Sequence, residues 1–453
     1  MVRVRSAVAV LLAAALLTAA CSSDKKTASP TGGSASSSAN APLTASFRGV
    51  TATTIKIGVL VVDFKCIEQF VDFTQGDAQK IVQTLVDDVN KNGGILGRKI
   101  EIVFKNLCPL QPTDVAAACT SLTDDDQVFA AIGVYDTPPS DGSNQLCLAR
   151  DKDTILINEL TTKKVMDQAK PGLLLTPQIL PERRLDALLS LLTQKKTLNG
   201  KKVAVLADQD TASFETAVKA AASGLGATVG STAVLTITNE DTSAAQAQLD
   251  TFIEKWKTEG TNALVMGGLL VSAKQFVEKI RKAIPDILLI TTDSSVGDQA
   301  KDEKKAGVSP NPYEGMVTLS GLSDSETFKS EGVQRCVKIY EAATGETVLG
   351  PDDLKPDANG KRIEVYIGIQ DRCNELAILT AVATKAGANL TNDTWIAAVN
   401  SLGKLKTATA TIASLKEGKY DAEDGFRLGT WDTSIQPDGD FKPESPELLD
   451  VSS

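Results

Sequence analysis

Residues 54–103, TIKIGVLVVDFKCIEQFVDFTQGDAQKIVQTLVDDVNKNGGILGRKIEIV, decide the fold. From Ile55 to Val62 the chain is almost continuously apolar, as expected of a strand covered on both faces. Ala78, Ile81, Val82, Leu85, Val86 and Val89 then recur at helical spacing, and Gly93-Gly94 stops that helix. Lys99 to Phe104 returns to strand character. Strand, helix and strand in this order form a βαβ unit, which builds a parallel sheet with the helix packed on its face.

The alternation continues outward. Strands are predicted near Val128–Gly133 and Thr154–Asn158. After Thr176-Pro177-Gln178 a second series begins, with strands at Lys202–Ala207, Ala227–Leu235, Ala263–Gly268 and Ile287–Thr292. Leu249, Phe252, Ile253 and Trp256 mark an amphipathic helix between two of them, with Trp256 in its core stripe. Two βαβ series in 453 residues imply two lobes, since one core rarely serves so long a chain. The last third changes character: helical stretches around Cys336 and over Val365–Lys385 precede a polar tail from Asp421. It is expected to complete the first lobe and cross back, so the hinge has several crossovers.

Gly93-Gly94-Ile95-Leu96-Gly97 and Gly224-Leu225-Gly226 each follow a helix and precede a strand. That is the reverse of the order that aims a helix N-terminus at a phosphate, so they read as turns. The opening strand, with Asn90-Lys91-Asn92-Gly93-Gly94-Ile95-Leu96-Gly97-Arg98-Lys99-Ile100-Glu101-Ile102-Val103 at its distance, resembles the start of the leucine/isoleucine/valine-binding family of ABC importers. The similarity continues through Phe129–Gly133, Lys202–Phe214 and Ala381–Trp395, covering most of residues 52–430. It implies the type I periplasmic binding protein architecture: an α/β fold of two doubly wound parallel-sheet lobes joined by a multi-crossover hinge. The lobes are expected at 51–176 with 323–415, and at 177–322 with 416–453.

Ligands of open α/β sheets sit beyond the carboxyl ends of the strands, and with two such lobes the site is the cleft between them. Read from strand ends, the first lobe offers Asp63, then Tyr135, Asp136 and Thr137, then Leu160, Thr161 and Thr162. The second offers Asp210 to Phe214, including Ser213 and Phe214, then Gly268, Leu269 and Leu270, then Asp293 with Ser294. The resemblance implies that Thr137 and Thr162 hold a carboxylate and Asp293 an ammonium group. Leu269 or Leu270 stands where the family's amino-acid receptors have an aromatic residue. Tyr135 reads as a ring that stacks on the ligand. Asp136, Asp210 and Asp293 also suit helix caps, and Asp124-Asp125-Asp126 suits a solvated turn better than a calcium site.

Arg3 and Arg5, an apolar run from Ala7 to Leu17 and small residues before Cys21 make a secretory signal over residues 1–20. Leu17-Thr18-Ala19-Ala20-Cys21 resembles a lipobox, which implies lipidation at Cys21 and a protein held outside the cell membrane. Ser, Ala, Thr and Gly then dominate to Ser46, and the flexible tether is placed at 21–50. In this exported chain six further cysteines suggest three disulfides. Cys336 and Cys373 stand apart from the rest and should pair. Cys66 and Cys108 each follow a strand, neighbouring strands would bring them together, and Cys119 is left for Cys147.

The chain has no histidine. The usual general base near neutral pH and the commonest zinc ligand are therefore missing, and neither an enzyme, a metal site nor a cofactor is expected. The net charge of −10, more negative still once the two signal-peptide arginines are removed, opposes nucleic-acid binding. The expectation is an extracytoplasmic lipoprotein that captures a small polar molecule, an amino acid, amide or related compound, and delivers it to the permease of an ABC importer. A ligand-sensing receptor domain on the same fold is the alternative. A carboxylate-based enzyme and a purely structural envelope protein are the more distant readings.

Overall fold

The computed structural model describes residues 42–69, 71, 73–135, 141–208, 211–236, 243–267, 271–293, 295–358 and 360–452. The export signal, Cys21 and most of the tether lie outside them, as do Asp136, Thr137, Asp210, Gly268, Leu269, Leu270 and Ser294.

The first sheet is built from β1 (Thr54–Val62), β2 (Lys99–Leu107), β3 (Ala130–Gly133), β4 (Ile155–Asn158) and β5 (Leu174–Leu175), all parallel in the order β2-β1-β3-β4-β5. Helix α1 (Ala78–Lys91) joins β1 to β2. It starts where Asp77 accepts from the Lys80 amide at 3.0 Å, and it buries Ile81, Val82, Leu85 and Val86. Gly94 must be glycine, since its φ is +65° and a Cβ would lie 2.0 Å from the Arg98 carbonyl oxygen.

The second sheet uses the same winding. Its parallel strands are β6 (Lys202–Asp208), β7 (Thr228–Leu235), β8 (Ala263–Gly267), β9 (Leu288–Thr291) and β10 (Val317–Ser320), in the order β7-β6-β8-β9-β10. Trp256 is fully buried on the helix Ser243–Glu259. The polar tail is no loose end. β11 (Gly425–Asp432) pairs antiparallel with β10, and β12 (Asp440–Pro443) and Leu449–Asp450 pair with β11. Phe426 and Leu428 are buried on one face of β11 and Trp431 on the other, so the strand is covered on both sides where it joins the sheet.

The helices Glu331–Thr344, Val365–Ala386 and Asn392–Ser401 pack into the core of the first sheet. Trp395 anchors them, its Nε1 donating to the Gly172 carbonyl at 3.0 Å and its ring edge-on to Phe129. Three segments cross between the sheets among the described residues: 176–181, 320–324 and 415–425. The first and third pair with each other, the Thr176 amide donating to Tyr420 O and the Ala422 amide to Thr176 O.

The three disulfides join Cys66 to Cys108, Cys119 to Cys147 and Cys336 to Cys373. A tether running to residue 50 is too long. Val50 is buried, Ser46 donates to Leu390 O, and Arg48 bonds Val128 O and Thr154, so the chain joins the body by residue 46. In the acidic run, Asp124 and Asp125 end a π-helical segment, Ser121–Asp125, and not a solvated turn; Asp124 faces Lys152 at 2.6 Å and the half-buried Asp126 faces Lys105 at 2.8 Å.

Candidate functional site

The carboxyl ends of β4, β6 and β9 and the first crossover enclose a cavity of about 410 Å³. That is the size of a small-molecule cleft, and both sheets contribute to it. From the first sheet come Glu159, Leu160, Thr161 and Thr162; from the second come Thr211, Ser213, Phe214, Thr292, Asp293 and Ser295.

Asn158 sets the first wall, its Oδ1 accepting from the Tyr135 amide at 2.7 Å and its Nδ2 bonding Leu160 O. Thr162 caps the short helix Lys163–Met166 by accepting from the Val165 amide at 3.3 Å. Thr161 Oγ1 has no hydrogen-bond partner among the described residues, and Leu160 is 53% exposed. On the second wall Phe214 packs on Gly267, where a Cβ would meet the ring at 2.6 Å. One oxygen of Asp293 accepts from the Ser295 amide at 2.8 Å in the turn that leads into the helix Val296–Lys305.

Tyr135 is placed otherwise than the sequence reading has it. Its ring is fully buried and its hydroxyl donates to Val115 O at 2.8 Å, so it supports the wall from behind; burial pushes the phenol pKa up. The physical reason is that β3 ends in an apolar surround where the hydroxyl finds a carbonyl partner. Asp63 also does not line the cavity: it accepts from the Lys65 amide at 3.0 Å in the turn after β1.

Three charged groups that line the cavity, Glu159, Glu182 and Arg184, went unread in the sequence. Arg184, in the first turn of the helix Pro181–Lys195, lines the cavity. Its Nε donates to Thr292 O at 2.9 Å and its guanidinium lies 6.0 Å from the Phe426 ring. Burial lowers its pKa, opposed by Glu423 and Asp293, and burial raises Glu423 to about 7. Glu159 lines the inner end of the cavity at only 5% exposure. A carboxyl at the end of the strand Ile155–Asn158, and the charged run Glu182-Arg183-Arg184 after Pro181 at the crossover, were the available signals. Among the described residues no group of three or more acidic or thiol side chains is placed to hold a metal ion, and no helix is long and apolar enough to cross a membrane.

A family model described as periplasmic binding protein matches residues 54–441. The chain belongs to that family. Its fold is that of ABC-transporter substrate-binding proteins. A branched-chain amino acid transporter structure from Rhodopseudomonas palustris superposes with a TM-score of 0.59 at 14% identity, over 88% of this chain and 97% of that one. A substrate-binding protein from Desulfitobacterium hafniense in complex with leucine gives 0.56 at 14%, over 86% and 99%. A solute-binding protein from Rhodopseudomonas palustris in complex with 3,4-dihydroxybenzoic acid gives 0.54 at 14%, over 88% and 98%. No curated protein matches the sequence. At these identities the structural likeness carries the fold, and the periplasmic binding protein cleft is read from its own residues.

Proposed function

We propose that the protein is an extracytoplasmic lipoprotein, acylated at Cys21, that captures a small polar molecule between its lobes and hands it to the permease of an ABC importer. The observation that carries this reading is the cavity of about 410 Å³ at the facing carboxyl ends of two sheets with the same winding. Such a site lets each lobe supply half of the contacts, so a ligand stabilises the closed form in which both halves meet. Leu160, Thr161, Thr162, Ser213, Phe214 and Asp293, with Arg184, are the proposed ligand contacts. Asp136, Thr137, Gly268, Leu269 and Ser294 adjoin these strand ends in the sequence and belong to the same proposal. The three crossovers act as the hinge, with backbone rotation at 176–181, 320–324 and 415–425 closing the cleft.

The test is a thermal unfolding scan of the purified protein against amino acids, amides, amines, sugars and organic acids. A ligand at about a hundred times its dissociation constant stabilises by about 2.7 kcal/mol, visible as a raised midpoint. A hit that disappears in Thr161→Val or Arg184→Met supports the cleft as the binding site. A well-folded sample that no compound shifts would overturn the reading.

A further inference from the structure

The inner wall of the cleft carries a feature that solute capture alone does not require. Glu159 backs onto the helix Val365–Ala386, whose Asp371, Arg372 and Glu375 interact with it. The Glu159 carboxyl lies within hydrogen-bonding reach of the Glu375 carboxyl. Gln178 Nε2 donates to Glu159 Oε2 at 3.3 Å, Arg372 Nη1 lies 2.8 Å from Glu375 Oε2, and Gln75 Nε2 lies 3.4 Å from Asp371 Oδ2. Glu159 Oε1 is buried with no other donor among the described residues, whereas the Glu375 carboxyl also has the Gly133 amide and the Arg372 guanidinium beside it. Ionised carboxylates only accept, so a hydrogen bond between two of them requires that one hold a proton.

Three carboxyls face one guanidinium here. The charged groups acting on Glu159 are Asp371, Arg372 and Glu375, while the hinge presents the neutral Gln178. Burial, then the charges of Asp371 and Glu375, hold the Glu159 carboxyl well above its usual range; burial likewise raises Asp371 to about 6 and Glu375 to about 8. Around the rest of the cavity Glu182 and Asp293 stand against Arg184, which also faces Glu423. The lining therefore has an acidic surplus, with one carboxyl kept neutral at its inner end.

Building on the solute-binding reading, we infer that Glu159 accepts a protonated amine of the ligand, which displaces the proton shared with Glu375. The ligand enters as R–NH₃⁺. The O–H bond of the carboxyl pair breaks, its proton leaves to solvent, and an ammonium N–H bonds to the freed carboxylate. One proton is released for each ligand bound, and total charge is conserved. This places the ammonium contact on the first lobe, opposite Asp293.

The test is calorimetric titration of the purified protein with butylamine, putrescine and lysine, and with succinate and glucose as controls, at pH 6 and pH 8. Each titration is run in phosphate and in a tertiary-amine sulfonate buffer, PIPES at pH 6 and HEPES at pH 8, whose ionisation enthalpies differ from that of phosphate. An amine should bind with affinity rising by up to about tenfold per pH unit as the competing proton is lost, and with a buffer-dependent heat matching proton release. Glu159→Gln, an isostere of the protonated group, should weaken that amine by about tenfold or more and abolish both dependences. Its unfolding midpoint without ligand reports whether it folds; if it does not, proton release by the unsubstituted protein decides. Amine binding without proton release, or binding of succinate or glucose alone, overturns the inference and leaves the solute-binding reading standing. If nothing in the wider compound panel binds, both fall.

Discussion

Asp424→Asn should be among the most damaging single changes outside the hydrophobic core. Asp424 is fully buried at the third crossover, where its Oδ1 lies 2.8 Å from Arg183 Nη2 and 3.1 Å from Lys419 Nζ, and its Oδ2 accepts from Ser414 at 2.6 Å. Asp421, also buried, takes Arg183 Nε at 2.6 Å, so two cations meet two anions. At about 3 Å and an effective dielectric of 20, each contact is worth roughly 5 kcal/mol of attraction, which offsets the cost of burying the ions. Asparagine keeps the shape, removes one charge and leaves Arg183 and Lys419 sharing Asp421. Breaking one partner of a buried group costs about 3–5 kcal/mol, or roughly 3–5 °C in unfolding midpoint for a chain of this size. Thermal denaturation followed by circular dichroism measures it. Lys152→Met serves as the control, because the Lys152–Asp124 pair is exposed and its loss should leave the midpoint unmoved. A midpoint for Asp424→Asn within about 2 °C of the unsubstituted protein would refute the claim that this ion network holds the crossover together.

Tyr135→Phe should lower stability by about 0.5–1.5 kcal/mol by removing the hydrogen bond from its hydroxyl to Val115 O, while ligand affinity stays the same; a large loss of affinity would return Tyr135 to the cleft. Cys336→Ala with Cys373→Ala opens a bridge spanning 37 residues, and chain entropy puts the loss at about 4 kcal/mol, read as a lower denaturant midpoint. Gly133→Ala should yield little folded protein, since φ is +125° and a Cβ would lie 2.2 Å from Leu60 O; normal yield and midpoint would show that β3 can shift to relieve the clash.

The alternation of apolar strands with amphipathic helices was legible because it is local. Residues 54–103 contain a strand, a helix with its stop signal and a second strand, and sheets of this kind wind in one hand. The Cys66–Cys108 disulfide was legible for a related reason, since a cysteine after a strand reaches what the sheet puts beside it; Cys336 and Cys373 stood apart from the rest in the sequence, and Cys119 was left for Cys147. β11 was harder to see. Its few apolar residues are split between two faces, Phe426 and Leu428 on one and Trp431 on the other, and it becomes a strand where β10 offers a partner to pair with.

The site divides in the same way. Strand ends are marked in the sequence, so Leu160, Thr161, Thr162, Ser213, Phe214 and Asp293 could be named before any coordinates were known, and they line the cavity. Which way a side chain turns depends on distant neighbours: Val115 draws the Tyr135 hydroxyl into the core, and the Lys65 amide occupies Asp63. Arg184 reaches the cleft because the first crossover aims its helix there, and Glu159 meets Glu375 across more than two hundred residues of chain. Periodicity and punctuation in the sequence determined the two-lobed architecture, because hydrogen bonding and burial act on neighbours along the chain. The charges of the cleft were decided by tertiary structure alone, because Coulomb forces and desolvation depend on distance in space.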